Sequence, residues 1–118
     1  MALTVGMVSI DSTDPVPLAR WWAEQLGGNI IQENGGFFVV VSLGEAAPRL
    51  GFQKVGDPTP GKNRIHLDLT ADDVEAEVDR LVAAGATRVA EHEMPGFSWV
   101  TLADPDGNQF CVAPGHEG

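Results

Sequence analysis

Cationic side chains are scarce in this chain. Seven Lys and Arg stand against 17 Asp and Glu in 118 residues, a formal net charge of −10 with His neutral. Such an excess of acid repels phosphate backbones and anionic lipid, so nucleic acid and membrane surfaces are poor partners, and a cationic small molecule is favoured. Cysteine is nearly missing as well. With Cys111 alone no disulfide closes within the chain, which agrees with a reducing, cytoplasmic setting. The longest unbroken apolar run, Phe37 to Val41, falls far short of the roughly 20 residues that cross a bilayer. No Lys or Arg precedes Arg20, so the basic start of a secretory signal is not seen. Signatures of several enzyme classes are lacking too. No Gly-x-Ser-x-Gly elbow presents a serine nucleophile, and Gly27-Gly28 ends a helical segment instead of opening one, so no phosphate cradle is expected.

What remains is one domain's worth of chain, 43% apolar and 20% charged. A domain of this size hides roughly two-thirds of its unfolded surface, which excludes disorder for the bulk. Periodicity then divides it. Leu3 to Ile10 is strand-like; Asp14-Pro15 is a helix start, and Leu18, Trp21, Trp22 and Leu26 form an apolar stripe that Gly27-Gly28 ends. Asn29 to Gln32, a turn at Asn34-Gly35-Gly36, and Phe37 to Leu43 read as a hairpin, followed by a strand from Arg49 to about Val55. The Pro- and Gly-rich stretch 56–63 reads as a linker between a first module, 1–55, and a second, 64–114.

The second half repeats the order of the first. Arg64 to Thr70 alternates as a strand with Ile65, Leu67 and Leu69 on its apolar face; Thr70 or Asp72 caps a helix whose stripe is Val74, Val78, Leu81 and Val82, stopped by Gly85. Strands follow at Thr87 to His92, Phe97 to Leu102 and Asn108 to Ala113, with turns at Met94-Pro95-Gly96 and Asp104-Pro105-Asp106-Gly107. Each half therefore reads β-α-β-β-β. A unit of about 50 residues buries too little alone, so the two are expected to join their sheets edge to edge or across a dimer, with each helix covering one sheet face. Alternation turns His66, Asp68, Gln109, Cys111, Gly51 and Gln53 toward the other, uncovered face.

These segments in this order resemble the vicinal oxygen chelate superfamily, in particular small glyoxalase-like and bleomycin-resistance-like proteins. The residues that carry the resemblance are Asp14-Pro15 with Leu18-Ala-Arg-Trp-Trp-Ala-Glu-Gln-Leu-Gly27, then Lys62-Asn-Arg-Ile-His-Leu-Asp-Leu69 with Asp72-Asp73, Arg80-Leu81 and Ala84-Gly-Ala86, and finally Trp99 with Asp104-Pro-Asp-Gly-Asn-Gln-Phe-Cys111. The resemblance implies an α+β fold of paired βαβββ modules, a curved mixed-sheet cup around a small-molecule site, usually within a homodimer. In metal-using members each module offers one ligand from its first strand and one carboxylate from its last. Here the matching positions hold Met7 and Gln53 in the first module and His66 and Cys111 in the second.

That quartet has one imidazole and no carboxylate, whereas hard and borderline divalent ions favour both, so no metal and no cofactor is expected. His66 is then the candidate proton carrier, or it orients a ligand. Met7, Gln53, His66, Asp68, Trp99 and Cys111 are the expected ligand-binding residues. Each has a plainer reading: Cys111 and Met7 as apolar filling, Gln53 as a backbone partner, Trp99 as packing beneath the helix. Two functions follow. The first is a small-molecule-binding protein with a degenerate metal site, taking an apolar or aromatic metabolite or antibiotic, with or without metal-independent chemistry assisted by His66. The alternative is a metal-dependent lyase, isomerase or dioxygenase similar to lactoylglutathione lyase, with His66, Gln53 and Asp68 or Cys111 as ligands.

Overall fold

The computed structural model describes residues 4–115; Leu3, at the expected start of the first strand, lies outside them. Two compact units divide the chain, Met1–Pro58 and Thr59–Gly118. The first contains β1 (Met7–Ser12), α1 (Pro15–Leu26), β2 (Asn29–Gln32), a 3-10 turn at Asn34–Gly36, β3 (Phe38–Ser42) and β4 (Arg49–Lys54). The second contains β5 (Asp68–Ala71), α2 (Val74–Ala83), β6 (Thr87–Met94), β7 (Phe97–Ala103) and β8 (Gln109–Pro114). Both are α+β modules with one topology. The sheet orders are β1-β4-β3-β2 and β5-β8-β7-β6, and in each the first strand pairs in parallel with the last while the others run antiparallel. No helix among the described residues is long and apolar enough to cross a membrane.

In the first module Pro15 opens α1 behind Asp14, and Gly27 closes it in the left-handed conformation with φ 67°. The following residue returns its N–H to Ala23 O at 2.8 Å. One stripe of α1, with Leu18, Ala19, Trp22 and Ala23, is buried. It lies on Val39 and Val41 of β3 and on Leu50 and Phe52 of β4, which are 0–3% exposed. Val8 and Ile10 pair with Leu50 and Phe52, so they point to the helix, and Met7 and Ser9 point away.

The second module has a thinner core. Val78 and Leu81 of α2 are buried, whereas Val82 is 43% exposed and leaves the expected stripe. They cover Val100, Leu102, Phe110 and Val112, each at most 4% exposed. The helix cap is Asp73, whose carboxylate accepts from Ala76 N at 3.1 Å, and not Thr70 or Asp72. Thr70 and Ala71 are still paired with Ala113 and Pro114, so the helix begins only once the chain has cleared the ladder. Arg88 on β6 ties to Glu75 of α2 and to Glu91. These carboxylates, chiefly through the Glu75 hydrogen bond, hold its guanidinium above the usual arginine range.

The largest departure from expectation is at β5. The strand begins at Asp68, not Arg64, and Ile65 is 80% exposed instead of lying beneath the helix. Asn63 is the cause. Its side-chain amide accepts from Gln109 N at 2.8 Å and donates to Gln109 O at 3.0 Å, replacing the backbone neighbour that a longer β5 would have offered β8. It also donates to Ile65 O at 2.7 Å. Leu67 O still accepts from Cys111 N at 2.9 Å, so the chain rejoins the ladder one residue before the strand.

Packing around Gly28 is tight against main chain: an added Cβ would lie 2.6 Å from Ser42 O. At Gly51 the nearest atoms are side-chain ends, Met7 Sδ at 2.7 Å and Phe38 Cζ and Ser9 Oγ at 2.9 Å. Gly28→Ala is expected to cost about 1–3 kcal/mol, and Gly51→Ala less because its neighbours can turn aside. Denaturant midpoints of both variants check the order.

Candidate functional site

In the second module the face of the sheet away from α2 carries the chemistry. Cross-strand partners share a face, so one row runs Asp68, Cys111, Thr101 across β5, β8 and β7. Along β7 and β6 the same face holds the pairs Trp99 with His92 and Phe97 with Met94. Together with Lys62, His66 and Gln109 these residues line a groove of about 650 Å³. That volume lies within the usual range for small-molecule sites.

One end of the groove is aromatic. The His92 ring stacks on Trp99 with centroids 5.0 Å apart and planes 21° from parallel, and the Phe97 ring is tilted 35° to Trp99 at 5.8 Å. The Pro95-Gly96 turn, with Gly96 at φ 78°, joins β6 to β7 and sets that register. Trp99 therefore faces the groove and does not pack beneath α2.

The other end is polar. His66 Nδ1 lies 3.1 Å from Asp68 Oδ1, with 37% and 70% of the two side chains exposed. A carboxylate on one ring nitrogen holds the imidazole in place and leaves the other for a ligand. Between the ends, Cys111 Sγ is 3.4 Å from Thr101 Oγ1, and that hydroxyl is 3.1 Å from His92 Nε2. Cys111 and Thr101 are each 8% exposed. The sulfur of Cys111, a nitrogen of His66 and a carboxylate oxygen of Asp68 all lie within 4.8 Å of one another. No buried side-chain nitrogen or oxygen among the described residues lacks a partner.

Of the residues singled out from the sequence, His66, Asp68, Trp99 and Cys111 thus come together in one groove. Met7 and Gln53 belong to the first module. Met7 covers Gly51 beside Phe38, and Gln53 is exposed at the end of β4. Sequence reasoning passed over His92 and Thr101. A two-residue turn at Pro95-Gly96 pairs position 92 with position 99, so His92 was legible from the turn, while the row of Thr101 beside Cys111 needed the β7–β8 register.

The donor set does not match a hard ion, which takes oxygen ligands. Asp68 is the one carboxylate among the groove's lining residues, and it already faces His66 Nδ1. The position on β8 that would supply a carboxylate holds a buried thiol against Thr101. Hard ions reject thiolate, whereas a borderline ion such as Zn²⁺ would be held by Cys111, His66 and Asp68 only once the thiol ionised and turned from Thr101.

Comparison with known proteins places this architecture. The mixed four-stranded sheets, each with one helix, have the fold of the glyoxalase/bleomycin resistance/dioxygenase proteins. A structure of a member of that family from Burkholderia phytofirmans PsJN superposes with a TM-score of 0.78 at 21% identity, covering 95% of this chain and 98% of that one. One from Sphaerobacter thermophilus DSM 20745 gives 0.74 at 21%, covering 96% and 98%. A lactoylglutathione lyase from Agrobacterium tumefaciens gives 0.70 at 20%, covering 95% and 93%. No curated protein matches the chain. The family model of the glyoxalase-like domain matches residues 7–113. The chain belongs to that family, within the vicinal oxygen chelate superfamily.

Elemental analysis of the purified protein is expected to find far less than one ion per chain. Near-stoichiometric metal that disappears in His66→Ala would overturn the reading of the donor set.

Proposed function

We propose that the protein binds a small apolar or aromatic organic molecule, a metabolite or an antibiotic, in the groove of its second module. The observation that carries this reading is the aromatic end of the groove. Trp99, with His92 stacked on it and Phe97 tilted beside it, belongs to an aromatic cluster that lines a concavity of ligand size. Such a cluster, already packed, needs little ordering when a planar ligand settles on it.

His66, oriented by Asp68, is the proton carrier of any chemistry performed there, and that chemistry needs no metal. Although the whole chain is strongly acidic, the groove is not. Asp68 is balanced there by Lys62, so the groove does not share the chain's excess of acid and a neutral ligand suits it. A reducing, cytoplasmic setting is part of the proposal, because it keeps the single cysteine as a thiol. So is a homodimer, on family resemblance, with the mass in solution by light scattering as its test.

Thermal shift and calorimetry against a panel of aromatic metabolites and antibiotics check the central reading. At least one compound is expected to bind, and Trp99→Ala is expected to weaken it about tenfold, the scale of one aromatic contact of about 1.4 kcal/mol. No binding by any compound, or binding indifferent to Trp99, would sink it. A metal-dependent lyase would instead act on a glutathione hemithioacetal only when supplied with a divalent ion.

A further inference from the structure

Three groups suited to nucleophilic chemistry converge on the groove floor. The Cys111 sulfur, a His66 nitrogen and an Asp68 oxygen lie within 4.8 Å of one another, and Asp68 is 3.1 Å from His66 Nδ1. Nucleophile, base and the group that orients the base are the parts an activated thiol requires. A fourth group adds to them. The Thr101 hydroxyl, 3.4 Å from the sulfur, can donate to a thiolate while accepting from His92 Nε2, 3.1 Å away. A second imidazole is thereby linked to the same sulfur.

From this geometry we infer that Cys111 is a nucleophile, and that the ligand class is a planar aryl compound bearing a conjugated, electrophilic carbon–carbon double bond. The inference rests on the groove being a ligand site. Trp99 lies two residues along β7 from Thr101, which is directly opposite Cys111. Residue rise and strand spacing put the Trp99 position roughly 8 Å from Cys111 on the same face. A ring resting on Trp99 therefore brings a double bond conjugated to it toward the sulfur.

The step is an addition. The Cys111 thiol passes its proton to His66, and the sulfur forms a bond to the β-carbon of an α,β-unsaturated carbonyl. The π pair of the carbon–carbon bond moves to the α-carbon, which takes the proton back from His66. A saturated thioether results, with no leaving group and no change in the redox state of the protein beyond the new carbon–sulfur bond. His66 and Cys111 are the catalytic residues, and Asp68 is a positioning residue.

N-phenylmaleimide and N-ethylmaleimide, which share the electrophile and differ in the ring, test this by intact-mass kinetics. On the folded protein the phenyl probe is expected to label Cys111 with a saturating rate, at least about tenfold faster than in urea, and Cys111→Ser is expected to take up none. His66→Gln and Asp68→Asn are expected to lower the limiting rate about tenfold or more. Trp99→Leu is expected to raise the half-saturating concentration. The change at Asp68 is on an exposed side chain, so it keeps the test informative should the His66 variant fold poorly. Saturation that depends on Trp99, with a limiting rate indifferent to His66 and Asp68, would overturn this inference and spare the binding site. Labelling that never saturates and ignores Trp99 would overturn both.

Discussion

The parallel pairing of β5 with β8 is the constraint on which the candidate site depends. It sets Asp68 opposite Cys111, and the antiparallel pairing of β8 with β7 then adds Thr101 to the same row. A slip of one residue would turn Asp68 toward α2 and break its row with Cys111 and Thr101. Two features hold the register. Leu69 and Val112 pair on the helix side, where apolar burial rewards them, and Asn63 grips both backbone groups of Gln109 at the mouth of the strand. The side-chain amide keeps the ladder satisfied while freeing residues 64–66 from it.

That release gives His66 its character. As a residue within a long β5 it would be held only by its neighbours in the ladder. Just outside the strand, its ring reaches Asp68 two residues on and remains partly exposed at the groove. The same local chain path exposes Ile65 and thins the core beneath α2. The second module thus gives up apolar burial where its polar groups gather, and the first module, with Trp22 and Phe52 almost wholly buried, has the deeper core.

Charge is distributed against the average of the chain. Acidic residues crowd α2 and its surroundings, where Glu75 and Glu77 sit in the first turn and favour the positive end of the helix dipole. Arg80 and Arg88 are engaged there by Glu77, Glu75 and Glu91. The groove face instead holds Lys62 and two imidazoles with a single carboxylate. Net charge describes long-range attraction, but a ligand in contact with the sheet meets the local set.

The amino-acid sequence by itself determined the succession of elements and the repeated module, because apolar period, proline, glycine and capping signals act over a few residues. Strand alternation was enough to put Asp68 and Cys111 on one face, whereas His66 reaches it from just outside the strand. Nearest-neighbour order along the chain could not say that Asn63 would shorten β5 or that Thr101 would join His92 to Cys111. Those outcomes depend on which strands become partners and in what register, and residues as far apart as 63 and 109 meet only when the sheet has closed. The tertiary structure decided the site for that reason: chemistry between side chains needs distances of a few ångströms, and hydrophobic pattern specifies a face without specifying a neighbour.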